Sequence, residues 1–317
     1  MSFQIKICLD NDEWDEFVGH SPQANLFCQT RFLEIYHDNY DLFFIKKNGL
    51  ILMGVIILKG SKKSVIKNPF MYQGVLFSQY FESIQPHKKS KKNIELTQYL
   101  LTELESLYGS IFLSLHHSLN DLRGFQWHNY HNQDGLQPKL NLSYTGILDL
   151  SKIESFNQVL LNVRTVRRQE YKKCVKNGFT VEESGDINIL NVLHNKTFER
   201  QGISRSESEV FLATTLAKKS ISKGFGRLLI CRDTKGIPAS ASLFLFDDNT
   251  GYYLIGANDS DYRKFGTGGF VLLEQIRYCM EQDLSYVDFM GINSPLRGDF
   301  KTSFNASPRP YFLFQMH

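Results

Sequence analysis

The chain has 317 residues, which exceeds one small domain and suits two modules of about 150 residues each. An apolar fraction of 42% and a charged fraction of 22%, with only 8 prolines, exclude a disordered chain and require a full core. A net charge of +3 excludes the broad electrostatic footprint of a DNA-binding protein. In chain order, residues 5–9 alternate as a short strand, and residues 10–18 read as a helix with acidic residues in its first turn. Residues 30–37 form a second short helix. Residues 42–47 and 50–59 flank Asn48-Gly49, a strong hairpin signal. Residues 65–68 and 72–77 add strands across an Asn68-Pro69 turn, and the PHKKSKKN segment 86–93 reads as a basic loop. Residues 94–108 place apolar side chains at helical spacing, and 111–115 return as a strand.

In the second half a strand at 144–149 precedes a helix opened by Ser151 and a basic helix at 163–177 stopped by Gly178. An extended 179–183 and helices at 186–201 and 206–222 follow. Strands at 227–232, 239–247 and 252–257 then lead to a helix at 269–282, with strands at 286–290 and 311–315 closing the chain. Both halves thus repeat one order of elements, with 42–59 answering to 228–246 and 95–115 to 269–289. The expected fold is α/β (α+β): two tandem modules, 1–150 and 151–317, each a mixed, mostly antiparallel sheet flanked by helices.

Five scattered cysteines without C-x-x-C spacing, and an acidic N-terminal segment, point to a reducing, cytoplasmic setting with no bound metal. The longest apolar run, 50–58, is half of what a membrane-spanning helix needs, so no integral membrane segment is expected. No G-x-S-x-G occurs and no cysteine stands in a nucleophile context, which disfavours a covalent acyl-enzyme. His116, His117, His128 and His131 match no zinc spacing.

The sharpest chemical signal is Arg263-Lys264-Phe265-Gly266-Thr267-Gly268-Gly269, set between a strand and a helix start. Such a turn leaves backbone amides open to an anion, and glycine lets the anion approach. The first half has no such turn, so only the second module is expected to bind a donor.

Arg263, Gly266 and Gly268 spell R-x-x-G-x-G, which resembles the pyrophosphate loop of GNAT N-acetyltransferases, where it binds coenzyme A. A wider pattern resembles the FemAB-like, or "methicillin resistance protein"-like, acyltransferases. It comprises a basic helix ending in Lys176-Asn177-Gly178, and Tyr253-Leu254-Ile255-Gly256-Ala257-Asn258-Asp259 followed by Tyr262-Arg263. It continues with Tyr286-Val287-Asp288-Phe289-Met290-Gly291 and Phe300-Lys301-Thr302-Ser303-Phe304, while Asn25 to Thr30 and Gly74 fit the first module. The resemblance implies two tandem acetyltransferase-like domains with a cleft between them. Some members move an amino acid from aminoacyl-tRNA onto a peptidoglycan precursor, and others acylate sugars or small amines from acyl-CoA. This chain lacks the heptad-patterned hairpin that several tRNA-using members insert. That places acyl-CoA first as co-substrate and aminoacyl-tRNA second.

The resemblance also implies that Lys301 stands near the donor carbonyl, where its cation stabilises the charge of a tetrahedral intermediate. The two phenylalanines would anchor its segment while the lysine points the other way. Arg164, Arg167, Arg168 and Lys172 share one helix face and are candidates to grip phosphates of donor or acceptor. Each is equally readable as part of a solvated basic helix. Asp288 leads the acid–base candidates, ahead of Glu274, Asp259 and Asp261, with a buried structural carboxylate as its alternative. The expected activity is acyl transfer from acyl-CoA to an amine of an amino sugar, a cell-envelope precursor or another small molecule. An aminoacyl-tRNA-dependent transferase and an inactive acyltransferase-fold binding module are the alternatives.

Overall fold

Period-two strands and 3.6-residue helical stripes sort the chain into two units in the computed structural model. It describes residues 2–37, 39–59, 70–132, 134–200, 202 and 204–317. Unit 1 is Met1–Ser143 with Pro310–His317, and unit 2 is Tyr144–Arg309. The division thus falls a few residues before the 150/151 boundary read from the sequence, and the last residues return to unit 1.

In unit 1, β1 (Gln4–Ile7) leads into α1 (Asn11–His20), capped by Asp10, whose carboxylate accepts from the amides of Asp12 and Glu13. A short α2 (Thr30–Leu33) precedes β2 (Tyr40–Lys47) and β3 (Leu50–Leu58), joined through Asn48 and Gly49 at φ 53° and 80°. Positive φ at both central residues is the turn whose twist suits a hairpin. β4 (Val75–Phe77) completes an antiparallel sheet in the order β1-β2-β3-β4. It starts later than residue 72 because Tyr72 sits at φ 66°, which breaks the extended run. The segment expected as a basic loop is instead the start of α3 (Pro86–Tyr108). Proline suits the first helical position and lysine is a good helix former, so the positive charges did not prevent a helix. The strand and turn expected at 65–69 lie outside the described residues. α3 packs Leu96, Leu100 and Leu104 on one sheet face, and Trp14 and Val18 of α1 cover the other. β5 (Ile111–Ser114) and a short α4 (Arg123–Gln126) finish the first pass.

β6 (Lys139–Asp149) carries the chain into unit 2, followed by α5 (Phe156–Asn162), α6 (Thr165–Lys176), β7 (Thr180–Glu183), α7 (Ile187–Glu199) and α8 (Glu207–Ser222). β8 (Gly226–Arg232), β9 (Pro238–Phe246) and β10 (Thr250–Asn258) form a meander. α9 (Thr267–Glu281), β11 (Tyr286–Gly291) and α10 (Pro295–Thr302) complete the unit. Its strands run in the order β6-β11-β10-β9-β8-β7, and β10 and β11 are the parallel pair. β8 shows the alternation that builds both faces. Leu228 and Ile230 meet α7 and α8, while Leu229 and Cys231 face the side where Cys174 of α6 and Phe270 of α9 pack. The final strand, β12 (Ser307–Met316), pairs Leu313–Met316 antiparallel with β5.

The order helix, meander, helix, strand therefore recurs: β2-β3-β4, α3, β5 in unit 1 and β8-β9-β10, α9, β11 in unit 2. Among the described residues, no helix is long and apolar enough to cross a membrane. α9 is tied to the sheet by Gln275, fully buried, whose amide donates to the carbonyls of Ser242 at 3.0 Å and Arg227 at 3.2 Å. Gln275→Leu strips both carbonyls of this donor. It should cost about 1–3 kcal/mol, read as a lower urea midpoint with an unchanged slope.

Candidate active site

Parallel pairing of β10 with β11 is brief: Thr250 with Tyr286, Gly251 with Val287 and Tyr252 with Asp288. Past that point β10 shifts register against β9 between Tyr253 and Ile255, and β11 shifts against β6 between Asp288 and Gly291. Met290 stands at φ 58° in the second irregularity. Two bulges at the same level make the strands part, and a gap opens where parallel ladder bonds would otherwise continue.

α10 delivers a lysine to that gap. Gly298 makes this possible, since a Cβ there would lie 2.5 Å from the Ile292 carbonyl oxygen just beyond β11. The helix was not expected from sequence, although Ser294-Pro295 is a sound start signal. Lys301 Nζ donates to the Gly291 carbonyl at 3.1 Å and lies 5.5 Å from the centre of the Tyr253 ring. The residue is only 9% exposed. Burial, aided by the positive charge of Arg297 and opposed by Asp288, brings its pKa down to about 8. Of the flanking rings, Phe304 is fully buried against Phe289, 5.8 Å between centroids, and anchors the segment as expected.

Asp288 is 1% exposed, and its Oδ1 accepts from the Thr145 hydroxyl at 2.5 Å and the Met290 amide at 2.6 Å. The carboxylate thereby holds the β11 bulge and lends negative potential to Lys301. The other carboxylates are engaged elsewhere. Glu274 accepts from Tyr171 at 2.7 Å and pairs with Arg277 at 3.3 Å, fastening α6 to α9. Asp259 caps the 3-10 turn Ser260–Phe265 and pairs with Lys196 at 2.5 Å. Asp261, exposed, lies in that turn.

The glycine turn follows directly. Gly266, at φ 81°, ends the 3-10 turn and caps α9, and its carbonyl takes the amides of Gly269 and Phe270 at 3.0 and 3.1 Å. Thr267 is buried, and Arg263 is exposed beside the turn. Glu170 of α6 crosses it: a Cβ on Gly266 would fall 2.2 Å from Glu170 Cγ, and one on Gly269 would fall 2.8 Å from Glu170 Oε2. One on Gly268 would meet Asn258 Oδ1 at 2.3 Å. The basic face of α6 is divided. Arg164 makes a bidentate pair with Asp299, both bonds 2.9 Å. Arg167 bonds Glu170 at 2.6 Å and lies over the rings of Phe300 and Phe304, 4.9 and 5.8 Å away. Arg168 is half-buried and, among the described residues, forms no ion pair.

Sequence inspection gave no role to Glu170 or Thr145, and quoted Tyr253 only within a longer pattern. Glu170 follows Arg167 by three residues, the spacing of a helical ion pair, which was the available signal. Unit 1 holds a surface cavity of about 390 Å³ bordered by Gln23, Phe77, Lys89 and Asp121. It contains none of the chemistry-bearing residues above, so the splay, rather than this hollow, is the candidate site.

Residues 162–302, which include these site residues apart from Thr145, match the family model described as an acetyltransferase (GNAT) domain. A curated relative, the lipid II:glycine glycyltransferase of Staphylococcus haemolyticus, is 27% identical over 103 residues, or 32% of this chain and 24% of its own length. The match therefore spans about a quarter of that relative. The solved structure of FemX superposes with a TM-score of 0.72 at 16% identity, covering 98% of this chain and 97% of FemX. Residues 162–302 thus match a GNAT domain, and the chain as a whole has the fold of FemX. A tandem GNAT protein from the clavulanic acid biosynthesis pathway also shares the fold, with a TM-score of 0.53, 10% identity and coverage of 100% and 98%. L-PGS from Bacillus licheniformis matches with a TM-score of 0.56 and 10% identity, covering 96% of this chain and 91% of its own.

Of the influences on Lys301, Asp288 is the one that raises its pKa, against burial and Arg297. Asp288→Asn should lower the Lys301 pKa below about 8, measurable by following the lysine side chain by NMR. The weakened bulge should cost about 1–3 kcal/mol in a urea titration.

Proposed function

We propose that the protein is an aminoacyltransferase, taking an aminoacyl group from aminoacyl-tRNA to an amine of a cell-envelope precursor. The observation that carries this is the buried Lys301 ammonium set in the β10–β11 gap between Tyr253 and the Gly291 carbonyl. An ammonium has three donors, and among the described residues one is occupied, by Gly291. The remaining two suit an ester carbonyl lying along the splayed strands. Its oxygen gathers negative charge as the amine attacks, and a fixed cation in a dry site stabilises that charge. The C–N bond forms, the ester C–O bond breaks, and the proton lost by the amine ends on the departing ribose hydroxyl.

The relative's name, lipid II:glycine glycyltransferase, supports an amino acid as the group transferred and a cell-wall precursor as acceptor. It favours this donor over the acyl-CoA placed first from sequence. So does Glu170, which packs closely against Gly266 and Gly269 of the glycine turn. No resident cofactor or metal is required by these steps. Asp288 acts as a positioning residue, through the bulge and through Lys301, and Arg168 and Arg263 supply cations for carrier or acceptor phosphates.

The test is transfer of labelled amino acid from charged tRNA, and of labelled acetyl from acetyl-CoA, to a muropeptide precursor. Label should move from tRNA and not from acetyl-CoA; the reverse would restore the acyl-CoA donor. Lys301→Met should lower kcat by roughly 100-fold. Because a charged lysine is needed, kcat should fall as pH rises through about 8. Lys301→Arg, which stays charged, should lose that fall. A wild-type rate that climbs through the same pH would make Lys301 a base instead.

A further inference from the structure

The glycine turn of unit 2 has the backbone of an anion site, and the Glu170 side chain packs against it. The Glu170 side chain lies so deep in the turn that a methyl on Gly266 would fall 2.2, 2.5 and 2.5 Å from its Cγ, Cβ and Cδ. Its Oε2 reaches the first turn of α9, where a methyl on Gly269 would meet it at 2.8 Å. Negative charge beside the start of a helix is favoured by the helix dipole. Arg167 clamps the carboxylate from the other side through Nη1, 2.6 Å from Oε2. Both side chains are largely covered, 15% and 21% exposed. The clamp cannot swing away freely, because the Arg167 guanidinium is stacked over Phe300 and Phe304. Arg167 Nε is buried with no acceptor among the described residues.

We propose that Glu170 is the donor-selectivity residue of this site: its carboxylate, clamped by Arg167, occupies the anion position of the glycine turn and excludes diphosphate-bearing donors such as coenzyme A thioesters. Entry of a diphosphate would set two or more negative charges against a carboxylate in the same small volume. The cost is both steric and electrostatic. A donor whose phosphates lie away from its ester, as in aminoacyl-tRNA, does not meet Glu170 and can still lay its carbonyl in the β10–β11 gap. The choice of the accepted donor rests on the function proposed above; the exclusion of diphosphates does not.

Inorganic pyrophosphate and coenzyme A are the probes, titrated calorimetrically into wild type, Glu170→Ala and Glu170→Gln. Alanine removes both bulk and charge, while glutamine keeps the bulk and an acceptor for Arg167. Circular dichroism and the thermal midpoint establish that each variant is folded. Glu170→Ala should bind pyrophosphate at least about tenfold more tightly than wild type, with a smaller gain for Glu170→Gln. Equal binding by wild type and Glu170→Ala would overturn the proposal. So would a folded Glu170→Ala that gains nothing; if alanine fails to fold, Glu170→Gln without any gain overturns it. Absence of aminoacyl transfer by wild type, together with pyrophosphate binding gained in Glu170→Ala, would sink the proposed function and leave the selectivity role standing.

Discussion

An ammonium group can stay inside a protein only where other dipoles replace its water, and the parting of β10 from β11 provides that replacement. The Gly291 carbonyl is available to Lys301 because β11 has left its parallel partner. The Tyr253 ring offers a π face on the other strand, and Asp288 adds a carboxylate. These groups do not fully match water, so the lysine loses basicity. What remains is a cation near its balance point, fixed in a gap lined by backbone. The two register shifts, the positive φ of Met290 and the bonds that Asp288 makes to hold it are all needed to keep that gap open.

The same lysine is coupled to the glycine turn by continuous packing. Phe300 and Phe304 flank Lys301 on α10 and its C-terminal turn, and Arg167 lies over both. Arg167 holds Glu170, and Glu170 lies in the turn that starts α9. Arg164 adds a second tie from the start of α6 to α10, through Asp299 and through its own amide to the Ser303 carbonyl at 2.9 Å. The outer salt bridge is exposed and contributes little by itself. The inner pair is largely buried, and there the loss of one partner strands a charge. α6 is therefore less a basic surface than a strut between the two chemical ends of the site.

Much of this architecture was legible because it rests on local signals. Asn48-Gly49 names its hairpin, Asp10 and Ser206 name their helix starts, and alternation in β8 and β9 sorts the two faces of unit 2. The turn from Arg263 to Gly269 and the F-K-x-x-F segment drew attention to residues that the structure sets at the start of α9 and on α10. What they touch was not legible, since it depends on contacts across more than ninety positions. Glu170 reaches Gly266, and Thr145 reaches Asp288 over 143 residues. Charge misled at residues 86–93, where four lysines read as a loop and proline's fixed φ makes them a helix start. On α6 the row of arginines did not reveal the partners of two of them, Asp299 far along the chain for Arg164 and Glu170 one turn away for Arg167.

The two units show what separates a repeated frame from a repeated site. Each places a helix after the third strand of a meander, and the frame asks only that this helix bury its apolar stripe. Its first turn is otherwise unconstrained. In unit 1 that turn begins with Pro86 and gathers Lys88 and Lys89, with no side chain capping its amides. In unit 2 it begins with a left-handed glycine and receives a carboxylate from a neighbouring helix. Positive charge at a helix start opposes the dipole, and negative charge supports it. Lysines at the start of α3 thus raise the local positive potential, whereas Glu170 cancels that of α9. A glycine turn alone would leave α9 open to any phosphate. With Glu170 in it, the turn keeps the backbone of an anion site and gives up its vacancy, and chemistry in unit 2 is left to the gap where Lys301 stands.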